Sequence, residues 1–577
     1  MFRARADYSA LGWNRGGASM VDVARPTSSE PVPLVNGSLR ACHTDDGETG
    51  EQQQYVKSKT VHHAPKGPRR HGGRGAVAAS VRAFNPQRLA GANSDGGPYP
   101  QGVVSGDPRS DGFNIWTRVR PSGFSDVFPI DWHVSTDPDF SNVVQSGTVQ
   151  ASEAYDHTAK VAVTDLNPYT RYWYRFTAKG QTSPVGRART APAPGAPVEK
   201  LKIGVCSCAN YTSGYYNAYR AMANEDLDYF VHLGDYIYEY NDYGDGVRSD
   251  PVAYPKVIEQ YRDKYKLYRS DPDLQALHAS APMVAVWDDH EVEDNYNIGE
   301  IGFQTAHAYR AWFDYQPTFG PAHDPSRIYR AINWGNLADI FMTDDRQYRD
   351  PELPGGNSAT GSATLSHADG RTLLGGAQRQ WLMSSLGGSA ATWKLIGNPV
   401  MMMPWRLLDF DSYWTRRPGR WEQMNAGFYL NGDQWDGYQW ERRAVLSHIE
   451  QNNIKNVVVV TGDLHMFLAG TLRPDFDRPG SQPVAVELVT GSITSPGFDQ
   501  YLSDPVSLVN DVMGGIFPGM QFADVFRHGY GVLQITRDQI IAELKSVPID
   551  TPNTPTPTVI ARFRIPNGQS ILDRIGP

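Results

Sequence analysis

The stretch Met283-Val284-Ala285-Val286-Trp287-Asp288-Asp289-His290-Glu291 contains the pattern that decides the fold. Its first half is an apolar run with the length of a buried strand, and its second half carries acidic and imidazole side chains. Three more segments have the same arrangement: Leu201–Asn210, Tyr229–Tyr238 and Val457–His465. Because open α/β sheets bind ligands at the carboxyl ends of their strands, these four segments predict one shared site at a sheet edge.

Strand-like and helix-like patterns alternate around these segments. The predicted strands are Leu201–Val205, Tyr229–Leu233, Met283–Trp287, Ile340–Thr343, Trp393–Ile396 and Val457–Val460. The predicted helices are Tyr216–Asn224, Pro255–Tyr268, Thr305–Phe313, Gln378–Leu386 and Trp440–Asn452. Such alternation predicts a layered α/β domain with sheets inside and helices outside. We assign residues 198–565 to this domain.

Residues 98–192 have a different pattern, in which short alternating strands are separated by turn residues. This pattern predicts a small β-sandwich that ends at the Pro/Ala/Gly-rich linker Thr190–Pro197. Within it, Leu166–Arg175 resembles the tyrosine-corner segment of fibronectin type III modules. The alternative is that these aromatic side chains are simply part of the core.

Bulk composition excludes several classes of protein. A chain of 577 residues exceeds the size of one compact core, so we expect more than one domain. The net charge of -9 has no long blocks, which argues against nucleic acid as a partner held by charge. No apolar run approaches the roughly 18 to 20 residues of a bilayer crossing, so we expect no transmembrane helix. Three cysteines are too few for a disulfide framework. The sequence does not indicate an oligomeric state.

The N-terminal segment, residues 1–97, is rich in Gly, Ser, Arg, Pro and His and has no sustained periodicity. Such a composition buries too little apolar area to offset chain entropy, so we expect disorder there. Arg69-Arg70 resembles part of a twin-arginine export signal, but the apolar core of such a signal is missing. Two interpretations remain open: a targeting segment, or an untranslocated or misassigned start.

Four motifs in chain order resemble one known family. They are Ser207-Cys208-Ala209-Asn210, Gly234-Asp235-x-x-Tyr238, Asp288-Asp289-His290-Glu291 and Gly462-Asp463-x-His465. This order is similar to the PhoD family of alkaline phosphatases and phosphodiesterases, within the calcineurin-like metallophosphoesterase superfamily. Gln101–Pro108 also resembles the start of that family's N-terminal domain. The resemblance implies an α/β fold of metallophosphoesterase type, an αββα sandwich preceded by a small fibronectin III-like β-sandwich.

The resemblance also implies a function and its cofactors. We expect metal-dependent hydrolysis of phosphate mono- and diesters by a hydroxide that bridges Fe3+ and Ca2+ ions. The implied metal ligands are Cys208, Asp235, Tyr238, Asp289, Asn398, Asp463 and His465. Among them, Cys208, Tyr238 and His465 are the implied iron ligands. Asp235 is the implied bridge to calcium, and Asn398 matches only by alignment of strands.

The donor types agree with these metals. Thiolate and phenolate are strong anionic donors that suit ferric iron, and carboxylate and amide oxygens suit calcium. Cys206 leaves one alternative open, because in an alternating strand its side chain would face the same way as that of Cys208. The two thiols would then form an oxidisable pair.

Two further residues are expected to act on the substrate. The resemblance implies that His290 stabilises or protonates the leaving oxygen, and the alternative is that it only orients Asp289. Arg346 resembles a family arginine and is expected to clamp phosphate bidentately. A surface salt bridge is the alternative for Arg346.

Two rival functions remain open. A phospholipase D-like phosphodiesterase would act on lipid headgroups with the same metals, and the apolar segment Pro399–Phe410 would line its groove unless it is core. A non-catalytic metal-binding adhesion protein is the rival from another class. The resemblance implies a secreted, periplasmic or cell-surface location, although the sequence has no clear signal peptide.

Overall fold

The computed structural model describes residues 97–121, 127–241, 246–352, 370–407, 428–429, 431–476, 478, 480–497 and 519–577. The predictions for residues 1–97 therefore fall outside the described residues, except at Gly97. In the described ranges, no helix has both the length and the apolarity that a membrane crossing requires.

Two large β-sheets form the centre of the fold, with strands numbered in chain order. The first sheet has the spatial order β24 (Asp573–Gly576), β23 (Thr558–Pro566), β22 (Gln539–Ser546), β21 (Gly529–Thr536), β9 (Lys200–Cys206), β10 (Tyr229–Leu233), β11 (Met283–Val286), β1 (Val103–Arg109), β2 (Gly112–Arg118), β5 (Thr158–Val163). The second has the order β12 (Arg330–Trp334), β13 (Ala338–Met342), β14 (Trp393–Asn398), β17 (Val457–Thr461), β19 (Ala485–Thr490), β18 (Phe467–Leu472), β20 (Met520–Asp524).

Two smaller sheets and six α-helices complete the described elements. The third sheet contains β4 (Val143–Ala151), β3 (Phe128–Ser135), β6 (Arg171–Ala178), β7 (Gln181–Thr182) and β8 (Gly186–Arg189). The fourth pairs β15 (Arg406–Leu407) with β16 (Phe428–Tyr429). The helices are α1 (Asn217–Ala223), α2 (Ile258–Tyr268), α3 (Pro272–Ser280), α4 (Phe303–Tyr315), α5 (Gly375–Gly388) and α6 (Gln439–Gln451). Short 3-10 helices cover Glu153–Tyr155, Ile298–Glu300 and Trp435–Tyr438.

Strand β17 shows why the two large sheets stack. All five of its residues, Val457–Thr461, are buried. Val458 and Val460 belong to the hydrophobic core that the two sheets share, and Val457 and Val459 belong to the core under α5 and α6. A strand buried on both faces is typical of a parallel sheet covered by another layer on each side. The αββα sandwich expected from the sequence is therefore confirmed.

Parallel pairing sets the position of the site. In the first sheet β9, β10 and β11 are parallel neighbours, and in the second β13, β14, β17 and β19 are parallel. All six strands predicted in this region form, each within a few residues of its expected bounds. The carboxyl ends of parallel strands meet at one edge, so the polar segments after β9, β10 and β11 share that edge.

The N-terminal β-sandwich also forms, and one of its layers continues into the first large sheet. Strands β1, β2 and β5 pack against the third sheet around buried aromatic side chains that include Phe113 and Tyr174. Strand β1 pairs in parallel with β11 at Gly106 and Met283. A Cβ on Gly106 would lie 2.7 Å from the Met283 carbonyl oxygen, so this close pairing requires glycine. The boundaries 98–192 and 198–565 remain predictions.

Tyr172 combines both interpretations of the aromatic segment. Its ring is buried in the core of the sandwich, and its hydroxyl oxygen accepts a hydrogen bond of 3.0 Å from the Asn167 N–H. A tyrosine whose hydroxyl bonds back to the backbone a few residues upstream is the arrangement of a tyrosine corner. Leu166–Arg175 therefore contributes to the core of the sandwich and also forms a tyrosine corner.

The segment Pro399–Phe410 behaves as core where it is described. Met401, Met402 and Met403 are at most 1% exposed and pack in the hydrophobic cluster under α5 and α6. These methionines therefore do not line an open lipid groove, because their apolar surface is already buried inside the protein. Residues 408–410 lie outside the described residues.

Candidate metal centre

The polar residues that follow four strands come together in one buried cluster. Three sets of side chains have ligand atoms that all lie within 4.8 Å of one another: Cys208, Asp235 and His465; Asp235, Asp289 and His290; Asp288, Asp289 and Asp463. Asp235 belongs to the first two sets and Asp289 to the last two. The three sets therefore form one continuous site.

The backbone turns sharply at the ends of these strands. Cys208, Asp235, Asp463 and His465 have φ angles of 58°, 52°, 61° and 55°. Non-glycine residues rarely adopt this left-handed conformation, which costs of order 1 kcal/mol or more and concentrates at functional sites. The turns direct side chains from different strands toward one point.

Gly234 allows two of the loops to touch. Its φ is +102°, and a Cβ at this position would lie 2.4 Å from the Cβ of Asp288. No side chain fits in that space. The loop after β10 therefore approaches the loop after β11 closely enough for Asp235 and Asp289 to belong to the same set.

Tyr238 occupies one end of the cluster. Its hydroxyl donates to Asp235 Oδ2 at 2.9 Å, lies 3.1 Å from His465 Nε2 and accepts a 2.6 Å bond from Ser495 Oγ. Burial, with Asp235 and Cys208 nearby, raises the pKa of Tyr238 well above its ordinary value. The phenolate would form there only beside a cation, which reverses that preference.

His465 presents one defined nitrogen to the cluster. Its Nδ1 lies 2.8 Å from the carbonyl oxygen of Pro496, so the proton sits on Nδ1 and the lone pair on Nε2. Burial lowers the pKa of His465 to about 4, which keeps the imidazole neutral. A neutral imidazole oriented by a backbone carbonyl is the usual state of a metal-ligating histidine.

The two cysteines have separate environments. Cys208 Sγ donates to Ser207 Oγ at 3.2 Å, whereas Cys206 Sγ lies 3.6 Å from the Val231 carbonyl oxygen. Both thiols are free. Cys208 follows the end of β9 in a left-handed turn, so the strand alternation that would pair it with Cys206 no longer applies.

The other end of the cluster is acidic. Burial, and then neighbouring carboxylates, raise the pKa of Asp463 well above its ordinary value; burial also raises that of Asp288 to about 6. Asp289 is the opposite case, because the charges of Arg346 and His290 outweigh burial and lower its pKa. Three carboxylates so close together do not all ionise without a cation between them.

Two oxygen atoms show directly that these residues fit a metal. Asp235 Oδ1 and Asp289 Oδ1 are buried, and neither has a hydrogen-bond partner among the described residues. Leaving a buried carboxylate oxygen unpaired costs about 1–3 kcal/mol or more. Coordination to a cation removes that cost, and these are the two residues that join the three sets.

His290 is held beside the cluster by Glu239. Its Nδ1 lies 2.8 Å from Glu239 Oε2, and its ring packs on Tyr238 with 4.2 Å between centroids. Burial alone would lower the pKa of His290, but Asp289, Asp235 and Glu239 together raise it well above the ordinary value. With Nδ1 occupied by Glu239, Nε2 is the nitrogen left for chemistry.

Arg346 lies inside the protein, so the surface salt-bridge alternative is wrong. The side chain is fully buried, and its guanidinium contacts Asp288 at 2.5 Å, Asp433 at 2.8 Å and Asp463 at 3.1 Å. Carboxylates therefore occupy the groups that were expected to clamp phosphate. The geometry favours a role in positioning Asp288 and Asp463.

Asn398 has its side chain in two hydrogen bonds, and its role as a ligand remains a prediction. Its Oδ1 accepts a 3.1 Å bond from Trp435 Nε1, and its Nδ2 donates to the Val400 carbonyl oxygen. Within the described ranges, no hydrogen bond links Asn398 to a cluster residue. The other predicted ligands, together with His290, all lie in the cluster.

Several residues of the site were not predicted from the sequence. Asp288 was noted without a role, and Glu239, Glu291, Asp433 and Gln434 were not singled out. The Glu291 carboxylate accepts from the N–H groups of Asp235 at 3.0 Å and Asp288 at 2.9 Å, so it joins two ligand loops. Its place in the Asp-Asp-His-Glu motif could have signalled this role.

Asp433 and Gln434 had no comparable signal. They stand outside any strand pattern. Asp433 nevertheless forms an ion pair with Arg346, and the Gln434 amide donates a hydrogen bond to Asp463. Two grooves of about 520 and 370 Å³ lie elsewhere, since no cluster residue lines either of them. Donor chemistry rather than groove volume therefore identifies the site.

Two stacked sheets between helices, with this buried set of donors at the carboxyl ends of parallel strands, define a metal-dependent phosphoesterase. Residues 203–544 match the family described as PhoD-like phosphatase, and residues 85–192 match its N-terminal domain. The chain belongs to the PhoD-like phosphatase family.

Two relatives support this assignment. Alkaline phosphatase D of Bacillus subtilis (strain 168) is 35% identical over 506 residues, which cover 82% of each chain. A solved structure described as that of PhoD superposes with a TM-score of 0.74 at 32% identity, covering 84% of this chain and 93% of the other. The protein is a phosphoric ester hydrolase, and the non-catalytic adhesion alternative is wrong.

Proposed function

We propose that the cluster binds ferric iron and calcium and that it hydrolyses phosphate mono- and diesters. The observation that carries the proposal is the continuity of the three sets through Asp235 and Asp289, each with a buried oxygen that has no hydrogen-bond partner among the described residues. Adjacent cation sites that share a carboxylate suit phosphoryl transfer, because two cations can stabilise both the attacking and the leaving oxygen.

We assign iron to the end of the cluster that carries Cys208, Tyr238 and His465. The support is chemical: a thiol, a phenol and a neutral imidazole converge there, with Asp235 as the neighbouring carboxylate. Two of these donors become anionic beside a highly charged cation. Calcium would not select such donors, because it prefers oxygen ligands.

We assign calcium to Asp288, Asp289 and Asp463, with Asp235 shared between the two ions. Calcium takes about 6 to 8 oxygen ligands in flexible geometry, which clustered carboxylates provide. Asn398 stays a predicted oxygen ligand of the same ion, because the Oδ1 atom that accepts from Trp435 Nε1 has a second lone pair.

The protein's own groups set the geometry of the reaction. When bound, the cations lower the pKa of water and neutralise charge on the phosphoryl oxygens. Glu239 keeps the His290 ring in place through Nδ1, and Nε2 carries a proton to the leaving oxygen. Arg346 holds Asp288 and Asp463 in position from the opposite side.

The metal assignment is tested by elemental analysis and visible spectroscopy of the purified protein. A ferric tyrosinate absorbs visible light, so we expect a coloured protein that Tyr238→Phe bleaches. Tyr240→Phe is the matched control, because the Tyr240 ring packs at 5.4 Å from Tyr238 and its hydroxyl bonds to Asn210 instead. A Tyr238→Phe protein that keeps the colour would disprove the iron assignment.

The substrate assignment is tested with an aryl phosphate monoester, an aryl bis-ester and phosphatidylcholine. We expect turnover of the two soluble esters, and about 10²- to 10⁴-fold lower kcat on both for His290→Asn. Exclusive turnover of phosphatidylcholine would favour the lipid-headgroup alternative. Burial of Met401, Met402 and Met403 argues against that alternative.

We also propose that the protein works outside the cytosol, in a secreted, periplasmic or cell-surface location. The support is the proposed calcium requirement, since free calcium is scarce inside cells. Fractionation of the producing cells, with activity and antibody measured in each fraction, tests this location. Activity confined to the cytosolic fraction would contradict it.

A further inference from the structure

Arg269 lies between the N-terminal sandwich and the larger domain. It directly follows α2, and its side chain is fully buried. Its guanidinium stacks over the ring of Trp116, with 4.2 Å from Cζ to the centroid, and lies 5.4 Å from the ring of Tyr236. Trp116 belongs to strand β2, and Tyr236 directly follows the metal-cluster residue Asp235. One buried cation therefore contacts both parts of the protein.

Among the described residues, no acidic side chain balances the charge of Arg269. Nη2 donates to Gln316 Oε1 at 2.9 Å, but Nε and Nη1 have no hydrogen-bond partner among the described residues. No carboxylate in the described ranges forms an ion pair with it. Nearby acids are engaged elsewhere: Asp271 pairs with Arg248, Asp314 with Arg262 and Asp156 with Arg118.

An unpaired buried charge is costly. Removing a charged side chain from water without a partner costs several kcal/mol even after the protein relaxes. Stacking on an aromatic ring returns only about 2 kcal/mol when the cation is desolvated. Burial accordingly lowers the pKa of Arg269. The contacts seen here leave most of this cost without compensation.

Other buried groups near Arg269 also lack partners. The Gln316 amide accepts from Arg269 through Oε1, which makes its unpartnered Nε2 a donor. The Tyr265 hydroxyl is buried and has no hydrogen-bond partner in the part of the chain that the structure describes, and its ring stacks on that of Tyr236 at 6.0 Å between centroids. These three groups are a cation, an amide N–H and a hydroxyl, all of which can donate to an anion; the Tyr174 hydroxyl, which is also buried and lacks a hydrogen-bond partner among the described residues, is another donor near Arg269.

We propose that Arg269, Gln316 and Tyr265 bind a monovalent inorganic anion, with chloride as the simplest case, at the junction of the sandwich and the larger domain. The anion neutralises the guanidinium and accepts its free N–H groups. Arg269 contacts the ring of Tyr236, which directly follows Asp235, so a bound anion would also stabilise the loop that carries this cluster residue.

Crystals of the full-length, metal-loaded protein grown in bromide test the site directly. We expect an anomalous peak within hydrogen-bond distance of Arg269 Nε or Nη1 in the wild type and no peak there in Arg269→Met. Density for water alone at that position, with bromide bound elsewhere, would overturn the proposal.

Thermal unfolding provides a measurement that needs no crystal. Replacing gluconate by chloride at constant ionic strength should raise the melting temperature of the wild type by about 3 to 5 °C at saturation. Tyr265→Phe should weaken the dependence, and Arg269→Met should abolish it. Arg262→Met is the matched control, since Arg262 is buried but paired with Asp314, and it should keep the full shift. A wild type with equal melting temperatures in both salts would refute the proposal.

Discussion

Arg346 forms a bidentate pair with Asp288: Nε donates to Oδ1 at 2.5 Å and Nη2 donates to Oδ2 at 3.3 Å. Both side chains are almost fully buried, and the same guanidinium also reaches Asp433 and Asp463. One buried cation thus organises an acidic cluster that would otherwise repel itself. These carboxylates occupy the guanidinium groups that were expected to clamp phosphate, so the contacts favour a positioning role for Arg346.

Arg346→Met should therefore lower the stability and metal content of the protein, because Arg346 holds the acidic residues in place. Removing one partner of a buried ion pair typically costs about 3–5 kcal/mol, so we expect a loss of that size in unfolding free energy. Denaturant unfolding and metal content per chain measure the effect. Arg310→Met is the control, because that arginine is 40% exposed and should cost under about 1 kcal/mol. Full stability and metal content with a raised KM alone would instead restore the phosphate-clamp role.

Glu239→Gln tests how His290 is positioned. The glutamine can still occupy the space but no longer carries the charge that holds the imidazole at Nδ1. We expect about 10- to 100-fold lower kcat with little change in KM, the usual effect of losing an orienting partner. Glu259→Gln, at an exposed position on α2, is the control. A KM raised by a similar factor, with kcat unchanged, would mean that Glu239 acts on substrate binding rather than on the leaving group.

Gly234→Ala should disrupt the close contact between the loop after β10 and the loop after β11. The new methyl group would meet the Cβ of Asp288 at 2.4 Å, and the φ of +102° is unfavourable for alanine. We expect a loss of more than about 1 kcal/mol in stability and a strong loss of activity. Gly180→Ala is the control: its φ is +73° with no atom near the new Cβ, so it should retain activity. An active Gly234→Ala protein would show that the loops need not touch.

Glu487 gives a pH-dependent prediction away from the metal ligands. Its carboxylate accepts from the N–H groups of Met402 and Met403 and from Thr461 Oγ1, and burial raises its pKa to about 7. A raised pKa means that the folded protein binds the proton more tightly than the unfolded chain. Its contribution to stability is therefore greatest at low pH and falls as the pH rises from about 4.5 to about 7.

Glu487→Gln isolates that effect. The unfolding free energy of the wild type, relative to the variant, should fall by up to about 3 kcal/mol across this pH window. Denaturant titrations of both proteins at several pH values measure it, with Glu259→Gln as an exposed control. A constant or rising difference would show that Glu487 is ionised at little cost in the folded protein.

Much of the site could be predicted from the sequence because its residues follow strands directly. Apolar runs identified the strands, and parallel pairing carries Cys208, Asp235 and Asp289 to one edge of the first sheet. Stacking of the second sheet on the first brings Asp463 beside them. The same local signals, hydrophobic periodicity and turn residues, predicted a layered α/β domain and the N-terminal β-sandwich, and the resemblance to a known family added the two-layer αββα arrangement.

Only the tertiary structure decided the roles that depend on distant partners. Arg346 resembled a substrate-binding arginine in the sequence, but in the fold it pairs with four carboxylates from three separate segments: Asp288, Asp289, Asp433 and Asp463. The Glu239–His290 contact and the pairing of β1 with β11 likewise join residues far apart in the chain. Periodicity reports which residues are buried, but the charge and hydrogen-bond state of a buried group depends on what packs against it, and that is set by the complete fold.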